Sequence, residues 1–342
     1  MDQQFWSGKK VLITGHTGFK GSWLTLFLKN LGAEIYGVSR EEKDGIYKLA
    51  NVHKIINKQL IYDIASNDTS DLDNFVKTVN PDIIFHFAAQ SLVYAGYVNP
   101  IDTLNTNVIG TYNVLNSIKK TSNLNSVVVS TTDKVYRDSS FDNIESSPLG
   151  GKDFYSSSKV GTENVISAFL SSNNSFNIST VRSGNVIGGG DRAEKRLVTD
   201  LINALITNSD FTLRKPKSIR PWQSVLDSIF GYLLVAQNSY KKNKSEIYNL
   251  NSEPNNKYDA EYLAKKFVDL WDSSIEIRIQ NNEEFKEVDI LKINSTKAKL
   301  NLGWEPKLTI DQMIDQTVLW EKTHISNQSV DFSLMQINEY LN

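Results

Sequence analysis

Six short apolar runs, separated by stretches long enough for a helix, constrain the first half of this chain more than any other feature. They are KVLITG (10–15), EIYGV (34–38), QLIYD (59–63), DIIFHFAA (82–89), SVVVST (126–131) and ISTVRSGNV (178–186). Runs that are apolar at consecutive positions suit strands covered on both faces, as in a parallel sheet. Helical patterns lie between them at about 20–31, 71–79, 101–120 and 155–172, the spacing that βαβ units require. The expected fold is α/β, a doubly wound parallel Rossmann sheet.

Beyond about Gly190 the pattern loosens. Polar segments such as KKNKSE and NSEPNNK separate helical stretches at about 194–208, 224–239 and 257–271. The chain therefore divides into a dinucleotide-binding domain at 1–186 and a smaller mixed substrate lobe at 187–342, some segments of which return to the first domain. The SSNNS stretch at 171–175 reads as a loop, and no internal repeat is visible.

Composition excludes several function classes. The 342 residues contain no cysteine, so disulfides, thiolate catalysis and Cys-ligated zinc are ruled out. The four histidines are far apart and show no metal-ligand spacing, so no metal site is expected. A net charge of -2 argues against nucleic acid as a partner. The opening MDQQFWSGKKVLITG lacks the apolar length of a signal or membrane helix, so a cytoplasmic protein without a membrane partner is expected.

The first strand runs into VLITGHTGFKGSWLTLFLKNLG, with glycines at 15, 18 and 21. In a βα turn, Gly15 allows the tight bend, Gly18 lets a pyrophosphate approach the backbone and Gly21 admits close helix packing. The helix N-terminus then offers free N–H groups to the anion. The acidic ribose reader that often ends the second strand is missing from YGVSREEKD; Ser39 or Arg40 stands there instead. An arginine at that place can favour a 2′-phosphate, so NAD is expected without excluding NADP. Asp63, after the third strand, suits either the adenine amino group or a helix-preceding cap.

DFYSSSKVGTE places Tyr155 and Lys159 one turn apart on one helix face. A phenol titrates near ~10 when unperturbed, so its use as a base near neutrality needs a neighbouring cation. Lys159 and a nicotinamide ring would supply that charge.

With the glycine loop, HFAAQ after the fourth strand, TNVIGTYNVL and RSGNVIGGGD, the chain resembles extended short-chain dehydrogenases/reductases over nearly its whole length. TGHTGFKGSWL, HFAAQSLV, IRPWQSVLDSIFGYLLVAQ and LKINSTKAKLNLGWEPKLTIDQMIDQTVLWE narrow the resemblance to nucleotide-sugar 4,6-dehydratases of the CDP-glucose branch. The resemblance implies Thr132, Tyr155 and Lys159 as hydroxyl, base and lysine, with Asn107 positioning Lys159 through a water. It also implies that Thr17, Phe19, Ile64, Ala88, Ala89 and Gln90 line the cofactor with the glycines, Ser39, Arg40 and Asp63.

The implied reaction oxidises carbon 4 of a nucleotide hexose, eliminates water across carbons 5 and 6, and returns the hydride to carbon 6. Asp133 and Lys134, in STTDKVYRD, would serve the elimination. Asp133 is the expected acid. Lys134 is either the base at carbon 5 or a charge that stabilises the enolate. Gln90, Asn185 and Arg220 are the implied substrate contacts, with Arg182 and Arg192 as further basic candidates. Ser91, Tyr94, Arg192 and Ser224 depart from the branch's usual proline, arginine, tryptophan and histidine, leaving another nucleotide hexose or heptose open. A 4-epimerase or reductase on the same fold would keep Tyr155 and Lys159 but need no pair at 133 and 134. A non-catalytic cofactor sensor often loses the tyrosine or the lysine. A homodimer paired through helices at about 101–120 and 155–172 is a further implication.

Overall fold

A computed structural model describes residues 1–138, 142–172, 176–252, 258–280, 292–326 and 331–342. The strands are β1 (Lys10–Thr14), β2 (Glu34–Ser39), β3 (Lys58–Ile61), β4 (Ile83–His86), β5 (Ser126–Thr132), β6 (Asn177–Ser183), β7 (Val186–Ile187), β8 (Phe211–Leu213), β9 (Gln223–Ser224), β10 (Ile247–Leu250) and β11 (Ile277–Ile279). Among the described residues, seven form one parallel sheet in the order β10-β6-β5-β4-β1-β2-β3. β7 with β9, and β8 with β11, make two small parallel pairs outside it.

Burial on both faces explains the apolar runs. Along β1, Val11 and Ile13 join a core with Trp23, Phe27, Tyr232, Trp304 and Trp320, while Leu12 joins another with Val38, Phe75, Val114 and Phe169. The alternation is the period of a strand, and helices cover each side. A third cluster, including Leu201, Phe211, Leu263, Phe267 and Ile314, forms the core of the segments that follow β6. Ile247–Leu250 comes from the second half of the chain yet pairs with β6 at the sheet edge.

The helices at Phe19–Asn30, Ser70–Val79, Phe154–Ser172, Leu197–Thr207 and Val225–Lys242 lie within a few residues of the sequence patterns. The pattern at about 101–120 is instead three pieces: Pro100–Leu104, a π-helical turn at Asn105–Ile109, and Gly110–Ile118. The extra residue per turn at Asn107 bends its side chain toward the end of β4, as such turns often do beside functional sites. Ala260–Trp271 matches the last expected helix, whose position 257 lies outside the described residues, as do most of SSNNS and much of NSEPNNK. The sheet order reverses between β1 and β4, and the crevice at their carboxyl ends is where such a fold takes a ligand.

Candidate active site

The glycine loop lies against the end of β4. Gly15 has φ +78°, and a Cβ there would stand 2.6 Å from the Ala88 backbone nitrogen. A Cβ on Gly21 would come within 2.1 Å of the Gly15 carbonyl oxygen, so strand and helix touch as the spacing requires. Gly18 caps the helix Phe19–Asn30 without a side-chain bond, and the first turn holds no acid. Its N–H groups and positive dipole end therefore face a cradle that fits a pyrophosphate.

The other expected cofactor contacts are placed less uniformly. Thr17 sends its hydroxyl to the Glu41 carbonyl at 2.8 Å, tying the loop to the β2 end. Phe19 opens the helix and faces Gly188. Ser39 is buried, and its hydroxyl is engaged by His16 Nδ1 at 3.0 Å and the Thr17 N–H at 3.3 Å; it braces the loop from below rather than offering a ribose contact. Burial lowers the His16 pKa, which favours the neutral imidazole. Arg40 is exposed and meets Asp102 at 3.4 Å. Asp63 accepts from the Ala65 N–H at 2.9 Å in a local turn; the next helix begins at Ser70 with Thr69 as its cap, so Asp63 is not the helix cap its alternative reading expected. Ile64 is buried against Gly110 and accepts on its carbonyl from Asn113 at 2.8 Å. Ala88 and Ala89 are half-buried at the mouth of the crevice.

Gln90, expected at both cofactor and sugar, donates its amide nitrogen to the Leu92 carbonyl at 3.0 Å and to Thr103 Oγ1 at 2.8 Å, bonds that tie it to the neighbouring loop and helix. Asn107 holds the same loop: it accepts from the Gln90 N–H at 2.8 Å and donates to the Gln90 carbonyl at 2.9 Å and to Ser158 Oγ at 2.8 Å. Asn107 thus reaches the Tyr155–Lys159 helix through Ser158, which itself donates to the Tyr155 carbonyl.

The residues expected to be catalytic converge at the end of β5. Thr132 Oγ1 donates to Asp133 Oδ1 at 3.0 Å, and Lys134 Nζ lies 3.6 Å from the same oxygen. Tyr155 is 7% exposed and shares a hydrogen bond with Thr132. Burial raises its pKa, while the charge of Lys134 and the Thr132 bond work in the opposite direction. Lys159 donates to the Ser130 carbonyl at 3.0 Å. Burial and the charge of Lys20 push its pKa down to about 7 against the opposing pull of Glu163. His86, enclosed between Thr14 Oγ1 at 2.6 Å and Thr111 Oγ1 at 3.0 Å, is driven by burial and Lys159 down to about 3 and stays neutral.

Beside this set lie polar atoms with no partner. Asp133 Oδ2, Asn185 Oδ1, Gln223 Nε2 and both amide atoms of Asn251 are buried and unpaired. A Cβ on Gly184 would meet Asp133 Oδ2 at 2.7 Å and Asn251 Oδ1 at 2.8 Å, so these two side chains share one small space. Buried polar groups without partners are costly, and a hydroxyl-rich ligand is the chemistry that would satisfy them. Arg220, 7% exposed, stands just before β9 and within the same quarter of the fold.

Two expected substrate arginines are committed elsewhere. Arg182 is buried and forms a two-point pair with Glu163 while donating to Tyr136 and the Glu145 carbonyl, a structural ion pair between β6 and the Phe154–Ser172 helix. Arg192 closes both terminal nitrogens on Glu321, whose side chain is fully buried. A buried carboxylate needs that guanidinium as its counter-charge. Among the described residues, no His/Asp/Glu group could hold a metal, and no helix is long and apolar enough to cross a membrane.

A family model described as GDP-mannose 4,6 dehydratase matches residues 12–317. The CDP-glucose 4,6-dehydratase of Salmonella typhimurium is 35% identical over 100% of this chain and 98% of its own length. The chain belongs to the nucleotide-sugar 4,6-dehydratases. The human dTDP-D-glucose 4,6-dehydratase is more distant, 28% identical over 93% of this chain and 91% of its own. Among solved structures, a Stenotrophomonas maltophila UDP-glucose-4-epimerase, with NAD and formylated UDP-arabinopyranose bound, superposes with a TM-score of 0.80 at 17% identity, covering 93% of this chain and 99% of that one. That likeness establishes the Rossmann-type fold.

The dehydratase's departures from its branch have local explanations. Ser224, standing for histidine, caps the helix Val225–Lys242 by accepting from the Leu226 N–H at 3.2 Å. Ser91 accepts from Arg196 at 3.2 Å, and Lys195 lies over the Tyr94 ring. Sequence reasoning did not single out Lys20, which bonds Ser130, Asn251, which shares the Gly184 space with Asp133, or Gln223, whose Nε2 is buried and unpaired. The unused lysine inside TGHTGFKGSWL was the one available signal; the others became visible only when β9 and β10 came alongside β6 and β7.

Proposed function

We propose that the protein is an NAD-dependent dehydratase that converts CDP-glucose to CDP-4-keto-6-deoxyglucose and water. The observation that carries this reading is Asp133 Oδ2, buried and unpaired beside Asn251 while Tyr155 and Thr132 stand on the other side of the same strand end. An epimerase needs the tyrosine and lysine but not an acid at that point. The 35% identity to the Salmonella CDP-glucose enzyme supports the base and sugar. NAD is favoured over NADP because Asp102 engages Arg40, the cation a 2′-phosphate would require.

The glycine loop would hold the cofactor pyrophosphate, and the nicotinamide, when bound, accepts a hydride from carbon 4 and later returns it to carbon 6. Tyr155 withdraws the 4-hydroxyl proton, helped by Thr132 and by the positive field of Lys134 and Lys159. Once carbon 4 is a ketone, the carbon 5 proton becomes acidic. Lys134, 26% exposed and 3.6 Å from Asp133, passes its own proton to that carboxylate after the oxidation, takes the carbon 5 proton as a neutral amine, steadies the enolate as the ammonium so formed, and gives the proton back to carbon 5 when hydride returns to carbon 6. Asp133 delivers a proton from Oδ2 to the departing 6-hydroxyl while Oδ1 stays on Thr132. Asn185 and Arg220 take the diphosphate side. The segments that follow residue 186, apart from β10, serve as the substrate lobe.

Exposed apolar side chains on the helices at Val93–Val98, Pro100–Leu104 and Gly110–Ile118 and in the π turn, including Tyr97, Val98, Ile101, Ile109 and Tyr112, support a homodimer through that face. The cytoplasm, where nucleotide sugars are made, is the compartment proposed. The test incubates the purified protein and NAD with a panel of nucleotide hexoses. Loss of one water from CDP-glucose, seen by mass and by the alkaline absorbance of a 4-keto-6-deoxy sugar, is the expected result. A 4-epimer or an unreduced 4-keto sugar without water loss overturns the proposal.

A further inference from the structure

Lys20 is a half-buried cation in the first turn of the helix Phe19–Asn30, between Gly18 and Gly21, that neither the phosphate cradle nor the elimination uses. Its Nζ donates to Ser130 Oγ at 3.2 Å and to the Tyr232 hydroxyl at 3.3 Å, within about 6 Å of the centres of both the Phe87 and the Tyr232 rings. Tyr232 in turn shares a 2.7 Å hydrogen bond with Ser130 Oγ. The opposite pole of the same residue, the Ser130 carbonyl, accepts from Lys159. Two lysines from different helices are thus anchored on one residue of β5, immediately before Thr131 and Thr132. Among the described residues, no carboxylate lies within ion-pair distance of Lys20.

We propose that Lys20 is a positioning residue of the catalytic centre, which acts through Ser130 and through its charge to set the pH at which Lys159 is an ammonium, and hence the pH range over which Tyr155 works as a base. Like charges this close cannot both stay protonated as easily as either could alone, and the pair titrates as a unit. The pKa directions agree: burial and Arg196 lower Lys20 to about 8 against the pull of Asp133, and Lys20 contributes to the lowering of Lys159. The other groups facing the pair are Glu163, itself paired with Arg182, neutral His86, Lys134 and the hydroxyls of Tyr155 and Tyr232. Phe87 and Tyr232 themselves pack edge to face with centroids 4.7 Å apart, and Lys20 lies along their flank. A lysine there costs desolvation, which a purely structural role would not require.

The inference rests on the reading of Tyr155 and Lys159 as base and cation, but its primary test needs no substrate. The lysines of the full-length protein are titrated by competitive acylation with mass-spectrometric readout, following the Lys159 peptide against pH. In wild type, Lys159 should label as a free amine well below the ordinary lysine range. In Lys20→Met the midpoint should rise by about one pH unit or more, whereas Lys20→Arg should keep it near the wild-type value. The alkaline limb of kcat/KM with the nucleotide hexose that proves to be the substrate should move with it, leaving KM little changed. An unshifted Lys159 midpoint in a folded Lys20→Met protein overturns the proposal. If that variant does not fold, wild-type titration decides: a Lys159 that labels only in the ordinary lysine range refutes it. Failure of every sugar to lose water would overturn the dehydratase reading while leaving the labelling result intact.

Discussion

Gly184→Ala offers the sharpest probe of the elimination site. The residue follows β6, and its φ is not in the left-handed region, so alanine is compatible with the backbone. The added methyl would meet Asp133 Oδ2 at 2.7 Å and the Asn251 amide at 2.8 and 3.0 Å. An ordinary carbon–oxygen contact is about 3.4 Å, so the carboxyl must retreat by roughly 0.7 Å; a misplacement near 1 Å can cost about a hundredfold in rate. The expected loss in the elimination step is therefore about 10- to 100-fold. Oxidation at carbon 4 depends on Tyr155, Thr132 and Lys159, which the methyl does not touch. Single turnovers in deuterated water separate the steps: reduced nicotinamide should build up by absorbance while water loss lags. A folded variant that dehydrates at the wild-type rate would refute the placement of Asp133 and Asn251 at the leaving group. Equal slowing of both steps would show that the methyl disrupts the whole pocket instead.

Three further outcomes follow from the same geometry. Gly21→Ala drives a Cβ to 2.1 Å from the Gly15 carbonyl, so the loop must open; isothermal titration should show NAD binding weakened by at least about tenfold, or 1.4 kcal/mol, with the far-ultraviolet spectrum retained. Glu163→Gln leaves the Arg182 charge buried without its counter-charge, and denaturant unfolding should register a loss of about 3–5 kcal/mol, less when Arg182→Met is added. Lys20 and Lys159 have folded pKa values of about 8 and about 7 against an unfolded value of 10.5. In that window the unfolded chain binds more protons, so their contribution to stability rises as pH increases and is smallest below it. Each contributes a slope of at most about 1.4 kcal/mol per pH unit, and urea unfolding between about pH 8 and pH 10 should show the slope reduced in Lys20→Met.

Much of the sheet was legible because its central strands β1, β4, β5 and β6 are buried on both faces, and such strands announce themselves as apolar runs. β10 was not singled out: IYNL is short and sits in a polar stretch, and only the edge of β6 gives it a partner. The helix pattern at about 101–120 hid a π turn, since one extra residue per turn leaves little trace in apolar spacing.

The candidate site divides along a similar line. Glycines 15, 18 and 21 and the Tyr155–Lys159 pair are local: their geometry follows from one turn or one helix, so spacing alone placed them. Ser39, Gln90 and Arg192 are not, because a polar side chain takes whichever partner the fold brings within reach. His16 claimed the serine, Thr103 the glutamine and Glu321 the arginine, the last from 129 residues away. The sequence by itself determined the parallel sheet, the phosphate loop and the residue types of the catalytic set. Tertiary structure alone decided which polar groups stay unpaired at the sugar position, and it brought Lys20 and Lys159 to the two poles of Ser130, because hydrogen bonding and desolvation act between residues that only packing makes neighbours.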